Sequence, residues 1–176
     1  MKKALFLPFL FSVFGLQAQT ALDNTAPNND INHLVENVLI DVASTGLVVE
    51  NVTLSSGNLN NVGYFGTATP EFSIESGIYL STGGQGAIIS GGTGGGVTGA
   101  GVDANLTDQL ALVGITNSIN NVVVIEFDFY SEGTSVEFEY SFGSREYQQY
   151  TCSSFNDIFG FFISGPGITG PYANGA

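Results

Sequence analysis

The sequence predicts an all-β fold, an antiparallel β-sandwich of the jelly-roll type with one or two short helices. Two segments, 122–130 and 135–142, alternate apolar and polar residues with a period of two, which is typical of half-buried strands. The chain has 24 glycines in 176 residues and only 11% charged residues. Short apolar runs separated by turn-forming residues favour strands joined by tight turns.

The first 18 residues have the pattern of a removable signal peptide. Two lysines precede an apolar stretch at 4–16, which is too short to span a bilayer as a helix, and Ala18 is a small residue before the expected cut. We expect residues 19–30 to be a flexible N-terminal arm and residues 31–176 to form one β domain. Export would place the mature chain in a compartment that permits disulfides, outside the cell or at its surface.

Removal of the leader would leave Arg145 as the only basic residue beside 16 acidic residues. This composition excludes nucleic acid as a partner, because nucleic-acid binding requires cations that replace phosphate counterions. No later segment is long and apolar enough for membrane insertion of the mature chain. We expect Arg145 to pair with a carboxylate such as that of Asp157.

Two short helices are predicted upstream of the alternating segments. Apolar residues recur at helical spacing within 31–42, where Asn29 or Asp30 can cap the first turn. A second helix is expected to begin after Asp103, and Gly114 is its predicted stop.

Short strands are predicted between and beside these helices. They lie at 46–54, 62–66 and 77–82, each bounded by small or turn-forming residues. The glycine-rich segment 83–101 is expected to be a loop, or very short strands joined by turns.

The two alternating segments predict a β-hairpin. Glu132 and Gly133 suit a two-residue turn, because glycine accepts a positive φ. That turn places apolar residues opposite one another on one face and acids opposite one another on the other face. The apolar pairs are Phe129 with Val136, Phe127 with Phe138, Ile125 with Tyr140, and Val123 with Phe142; the acidic pairs are Asp128 with Glu137 and Glu126 with Glu139.

The acidic face of this hairpin has two interpretations. Four carboxylates on one face could hold calcium, which prefers several oxygen ligands, and Asp157 could add a fifth. Alternatively the face is solvated, with water and salt screening the repulsion, and Asp157 is a turn residue that bonds its own backbone. The predicted metal ligands, with calcium as the one candidate cofactor, are Glu126, Asp128, Glu137, Glu139 and Asp157.

No catalytic residue is assigned from the sequence. The sole histidine, His33, lies on a predicted helix face without an accompanying nucleophile motif, and one histidine with one cysteine argues against a structural zinc site. Glu126, Asp128 and Glu132 resemble the two-carboxylate signature of laminarinase-like glycosidases, but the last glutamate is one residue late and the chain has no tryptophan. A jelly-roll lectin or glycosidase with paired carboxylates is therefore kept as the alternative to a non-enzymatic module.

The C-terminal third carries a family resemblance. Its most specific block is Phe155 to Gly167, which reads F-N-D-I-F-G-F-F-I-S-G-P-G. Upstream segments, such as G-I-Y-L-S-T-G at 77–83, occur in the same order as in the family. The chain resembles the choice-of-anchor L domain, a bacterial extracellular domain whose members attach to the surface by different C-terminal anchors. The resemblance implies a secreted or cell-surface module acting in adhesion, with an extracellular polymer or a surface protein as its partner. Arg145 departs from the pattern, where a second glutamate is expected.

The sequence also predicts a domain that is incomplete at its C-terminal end. The turn-rich residues 165–176 follow a strong apolar run at 158–163, where a sandwich normally turns back into another strand. That run is expected to be a strand buried on both faces or bent at Gly160. Cys152 is the only cysteine, so we expect a disulfide to a partner outside this segment, with a free buried cysteine as the alternative.

Overall fold

The computed structural model describes residues 21–66, 74–90, 102–144, 150, 153 and 157–170. Over these residues the chain forms strands in two antiparallel sheets together with a few short helices. The strands are β1 (Ala21–Asp23), β2 (Val48–Ser56), β3 (Val62–Gly66), β4 (Ser76–Leu80) and β5 (Val124–Tyr130). The helices are α1 (Ile31–His33), which continues as a π-helical segment (Leu34–Leu39), α2 (Val42–Thr45), α3 (Gln85–Ser90) and α4 (Ala104–Leu112).

The first sheet has the order β1-β3-β4 and pairs aromatic residues with glycines across its strands. Tyr79 lies opposite Gly63, and Phe65 lies opposite Gly77. A Cβ added to Gly63 would lie 2.8 Å from the Tyr79 ring, and a Cβ added to Gly77 would lie 3.0 Å from the Phe65 ring. Each ring therefore lies against bare backbone of the neighbouring strand, which is possible because glycine has no Cβ.

Strand β1 falls within the segment for which the sequence predicts a flexible arm. Ala21–Asp23 pairs antiparallel with β3, and the side chain of Gln85 donates a hydrogen bond to the carbonyl of Leu22 at 2.9 Å. The prediction of a flexible arm is therefore wrong for these residues. Residues 21–23 lie in a polar segment, and composition does not show which backbone groups form hydrogen bonds with a strand far along the chain.

The second sheet pairs β2 with β5 and contains a β-bulge at Asn51. Glu50 lies opposite Asp128 and Thr53 lies opposite Glu126, so two residues of β2 face one residue of β5. Asn51 has a φ of 56°, in the left-handed region that asparagine tolerates better than most residues. Its Nδ2 donates to the Asp128 carboxylate at 2.6 Å.

The predicted helix at 31–42 forms over 31–39 and contacts both sheets. Asp30 caps it, since the Asp30 side chain accepts a hydrogen bond from the backbone N–H of Asn32 at 2.9 Å. The helical residues pack on β2, β3 and β4. Leu34 and Val35 are fully buried there with Val62 of β3, and this group is the centre of the core.

The second predicted helix is confirmed, and a third helix replaces part of a predicted loop. Asp103 caps α4 by accepting from the N–H of Leu106 at 2.8 Å, and Gly114 follows its end with a φ of 78°. The glycine-rich segment was expected to be a loop or short strands, but Gln85–Ser90 is helical. Residues 91–101 lie outside the described residues.

The predicted hairpin does not form, although its first arm is a strand. That strand, β5, pairs with β2, and residues 135–142 form no strand. The faces of β5 are as predicted, with Ile125, Phe127 and Phe129 half-buried and its two acids exposed. A period of two specifies which residues share a face but not which strand lies beside them, so a strand distant in sequence satisfies the same pattern.

Two sheets and short helices agree with a β-rich fold, and the jelly-roll arrangement stays a prediction. The segment 1–18, predicted to be a signal peptide, lies outside the described residues. Within the described part of the chain, none of the helices has the length and hydropathy needed to cross a membrane.

Candidate functional site

The structure presents four aromatic rings on one exposed surface. We call Phe138, Tyr140, Phe159 and Phe161 the aromatic surface. The ring centroids of Phe138 and Phe161 are 4.1 Å apart, and those of Tyr140 and Phe159 are 5.1 Å apart in a stacked arrangement. The exposed fractions are 43% for Phe138 and 62% for Tyr140, and the rings on the other segment are similarly exposed. Exposed apolar patches of this kind commonly mark interaction sites.

Two chain segments running in opposite directions build the aromatic surface. Phe138 contacts Phe161 and Tyr140 contacts Phe159. Residue numbers rise along one segment as they fall along the other, so the two segments run antiparallel. The Ser144 hydroxyl donates to the Asp157 carboxylate at 2.5 Å and joins the same two segments beyond the rings. Rings separated by two residues share a face, which explains why each segment contributes a pair.

The opposite face of residues 158–162 lies against helix α4. Ile158 and Phe162 are half-buried, and a Cβ added to Gly160 would lie 3.0 Å from a methyl group of Leu106. The sequence predicts a strand here, covered on both faces or bent at the glycine. In the structure these residues form no strand, and their alternate side chains, including Phe159 and Phe161, are exposed.

A cleft of about 340 Å³ lies between α4 and this segment. Gln109 and Leu110 of α4, with Val113 just after the helix, line one side of the cleft, and residues 158–162 line the other side. None of the described residues that line the cleft is titratable, and their side chains are apolar apart from the amide of Gln109.

The five predicted calcium ligands are all described, and the structure does not bring them together. Glu126 and Asp128 lie on β5, whereas Glu137 and Glu139 lie on the segment that does not pair with β5. Asp157 instead accepts the hydrogen bond from Ser144. Among the described residues, no three His, Cys, Asp or Glu side chains are grouped closely enough to hold a metal ion. The predicted site depends on the hairpin, so the geometry does not assemble it.

The comparison with protein families decides the identity of the chain. The family model of the choice-of-anchor L domain matches residues 21–176. This chain belongs to the choice-of-anchor L family. Comparison with curated proteins and with solved structures finds no match. The family is a surface-anchoring module and not a known enzyme family, so membership indicates a surface or extracellular role.

Two residues of the predicted site region lie outside the described part of this choice-of-anchor L domain. These are Arg145 and Cys152, so the predicted ion pair and disulfide stay predictions. His33 is described: it is half-buried at the end of α1, and its Nδ1 lies 3.4 Å from the side-chain nitrogen of Asn37 on the same helical stretch.

Asn61 is a structural residue that the sequence interpretation missed. It is fully buried just before β3 of the choice-of-anchor L domain. Its Nδ2 donates to the carbonyl of Ser81 at 2.7 Å, and its Oδ1 accepts from the N–H of Asn58 at 3.0 Å. Both ends of the amide are thereby satisfied, as burial requires. The only sequence signal was a cluster of turn-forming residues at 57–61.

Asp23 and Tyr79 are a second pair that the sequence did not single out. Hydrogen bonds from the side chain and backbone of Thr25, together with Asn28, hold the pKa of the Asp23 carboxyl below its ordinary value. Burial, with a smaller contribution from the negative charge of Asp23, raises the pKa of Tyr79. The Tyr79 hydroxyl is buried without a hydrogen-bond partner among the described residues. Its ring fills the space above Gly63, so its role is packing.

Proposed function

We propose that this choice-of-anchor L domain is a non-enzymatic extracellular or cell-surface module that binds a polymer or surface protein through the aromatic surface. The observation that carries the proposal is the exposure of four rings in mutual contact on two segments of the chain. Aromatic side chains supply large contact area at a low cost in conformational entropy, which is why they are enriched in binding sites. An exposed aromatic surface on a module at the cell surface favours a role in adhesion.

A second candidate, a lectin or glycosidase on the same scaffold, follows from one feature of the rings. The Tyr140 and Phe159 rings are stacked with only 24° between their planes, and both are exposed. The apolar face of a sugar ring can stack on the outer face of such an exposed ring. Hydrolysis would also need two carboxylates about 5–9 Å apart at the bound sugar, and Glu126 and Asp128 are the residues that the sequence offers.

The test measures retention of the purified full chain on three kinds of coated bead. The coatings are a neutral polysaccharide, an acidic polysaccharide and a short oligoarginine peptide. We expect the wild type to be retained on at least one coating, and we expect Tyr140→Ser to reduce that retention. Tyr130→Ser is the matched control, because Tyr130 has the same exposed fraction of 62% and lies on β5 outside the aromatic surface.

The outcomes separate the two candidates. The binding module is supported if a coated bead retains the wild type and Tyr130→Ser but does not retain Tyr140→Ser. Equal retention of both variants, or no retention of the wild type on any bead, contradicts it. Release of reducing sugar from either polysaccharide would show glycosidase activity. Loss of that release in Glu126→Gln would assign the Glu126 carboxylate a role in the hydrolysis.

A further inference from the structure

The aromatic surface is accompanied by carboxylates on the same segments. Asp157 precedes Phe159 by two positions and so shares the side of the rings, whereas Glu137 and Glu139 lie between the ring residues and face the other side of their segment. All three acids are exposed. Aromatic faces attract cations through the ring quadrupole, and nearby carboxylates add a Coulomb attraction for the same ligand. This combination of groups therefore favours a cationic ligand over a neutral one.

The charge of the whole chain points in the same direction. The sequence has 16 acidic residues and three Lys or Arg, for a net charge of −13. None of the described residues is a lysine or an arginine. A field of this sign accelerates association with a basic partner and repels an acidic one.

We propose that the aromatic surface docks an arginine-rich segment of a basic protein partner. The proposal rests on the proposed function and adds the chemistry of the partner. Arginine is the preferred cation because its planar guanidinium stacks on rings and also forms bidentate hydrogen bonds with carboxylates. The outer faces of the stacked Tyr140 and Phe159 rings would receive guanidinium groups, and Asp157 on the same side would attract a neighbouring cationic side chain.

The other possible occupants of this surface fit the charge less well. A second copy of the chain would bring two net charges of −13 together. A neutral polysaccharide would stack on the rings but would gain nothing from Asp157 or from the other acids of the chain. An anionic polymer would be repelled by the same acids.

The experiment measures binding of a fluorescently labelled short oligoarginine peptide to the full chain by anisotropy. Tyr140→Phe keeps the ring, whereas Tyr140→Leu keeps an apolar side chain of similar reach but removes the ring. We expect Tyr140→Phe to bind like the wild type. We expect Tyr140→Leu combined with Phe159→Leu to weaken binding about tenfold, since each exposed cation–π contact contributes about 0.5–1 kcal/mol.

Charge variants test the acidic contribution with a matched control. Asp157→Asn keeps an oxygen that can accept from Ser144 but removes the charge, so it should weaken binding more than Glu75→Gln, the same loss of charge at an exposed acid before β4. Unfolding curves measured on every variant show whether each one is folded. If the leucine variant does not fold, Phe161→Leu alone is measured against the control Tyr130→Leu.

Several results would overturn the proposal. Equal binding of the ring-deleted variant and the wild type would show nonspecific charge attraction. A wild-type dimer that becomes a monomer in Tyr140→Leu would show that a second copy occupies the surface. Retention on a polysaccharide bead that depends on Tyr140, without binding of oligoarginine, would leave the proposed function standing and exclude the basic partner.

Discussion

At the scale of single residues, the first sheet depends on a glycine that faces an aromatic ring. Gly63 of β3 lies under Tyr79, and a Cβ at this position would also lie 2.7 Å from the backbone oxygen of Asp23 on β1. A flexible side chain can move away from a new methyl group, but a backbone oxygen in a paired strand cannot do so cheaply. The glycine therefore allows β1 and Tyr79 to approach β3 from both sides.

We expect Gly63→Ala to lower the free energy of unfolding by about 1–3 kcal/mol, the usual cost of overpacking. Urea denaturation of both proteins measures the change. Gly86→Ala is the control, because Gly86 lies in α3 with nothing within 4 Å of its added Cβ. That substitution should raise stability by about 0.5–1 kcal/mol, since alanine favours a helix over glycine. A Gly63→Ala protein as stable as the wild type would contradict the packing argument.

At the scale of elements, the bulge in β2 corrects a break in the hydrophobic pattern. Val49 and Val52 are three residues apart, so they would fall on opposite faces of a regular strand. In the structure both are half-buried, while Glu50 and Asn51 between them are exposed. The extra residue at the bulge restores Val52 and Leu54 to the inner face. The positive φ of Asn51 is the conformation that makes this possible.

We expect Asn51→Val to be less stable than Asn51→Gly by about 1–2 kcal/mol, because a β-branched residue is strained in the left-handed region and glycine is not. Both variants lose the hydrogen bond to Asp128, so their difference isolates the backbone conformation. Equilibrium urea unfolding of the two variants provides the measurement. Equal stabilities would mean that β2 adopts another register without cost.

At the scale of the whole molecule, acidity connects folding stability to pH. Asp23 and Asp30 have carboxyl pKa values below the ordinary 3.8, chiefly because of hydrogen bonds from Thr25 and from the backbone N–H of Asn32, respectively. A carboxyl whose pKa is lower in the folded state than in the unfolded state stabilises the fold above the unfolded pKa. That contribution is lost as the pH falls through the folded value.

We therefore expect the stability difference between the wild type and Asp23→Asn to be largest near neutral pH and to close below pH 3.8. Chemical denaturation of both proteins across the acidic range measures the difference. Thr25→Val removes the hydroxyl that is the largest cause of the lowered pKa of Asp23. In a Thr25→Val protein, adding Asp23→Asn should therefore change the free energy of unfolding less over the same pH range. A difference that does not change with pH would contradict the assignment.

The sequence by itself determined the local elements of this choice-of-anchor L domain. The strands near 48–56, 62–66 and 76–80 and the caps at Asp30 and Asp103 depend on residues within a few positions of one another. Periodicity and capping are local, so a sequence displays them directly. The match over 21–176 confirms the resemblance that the C-terminal block at 155–167 suggested.

Only the tertiary structure decided which elements are neighbours. The pattern of β5 was correct, but its partner is β2, far along the chain, and not the adjacent segment 135–142. The aromatic residues of that segment were predicted to face β5, and the structure instead places Phe138 and Tyr140 against Phe161 and Phe159 in an exposed surface. Alternation assigns side chains to a face, whereas pairing and exposure depend on long-range packing that the pattern does not encode.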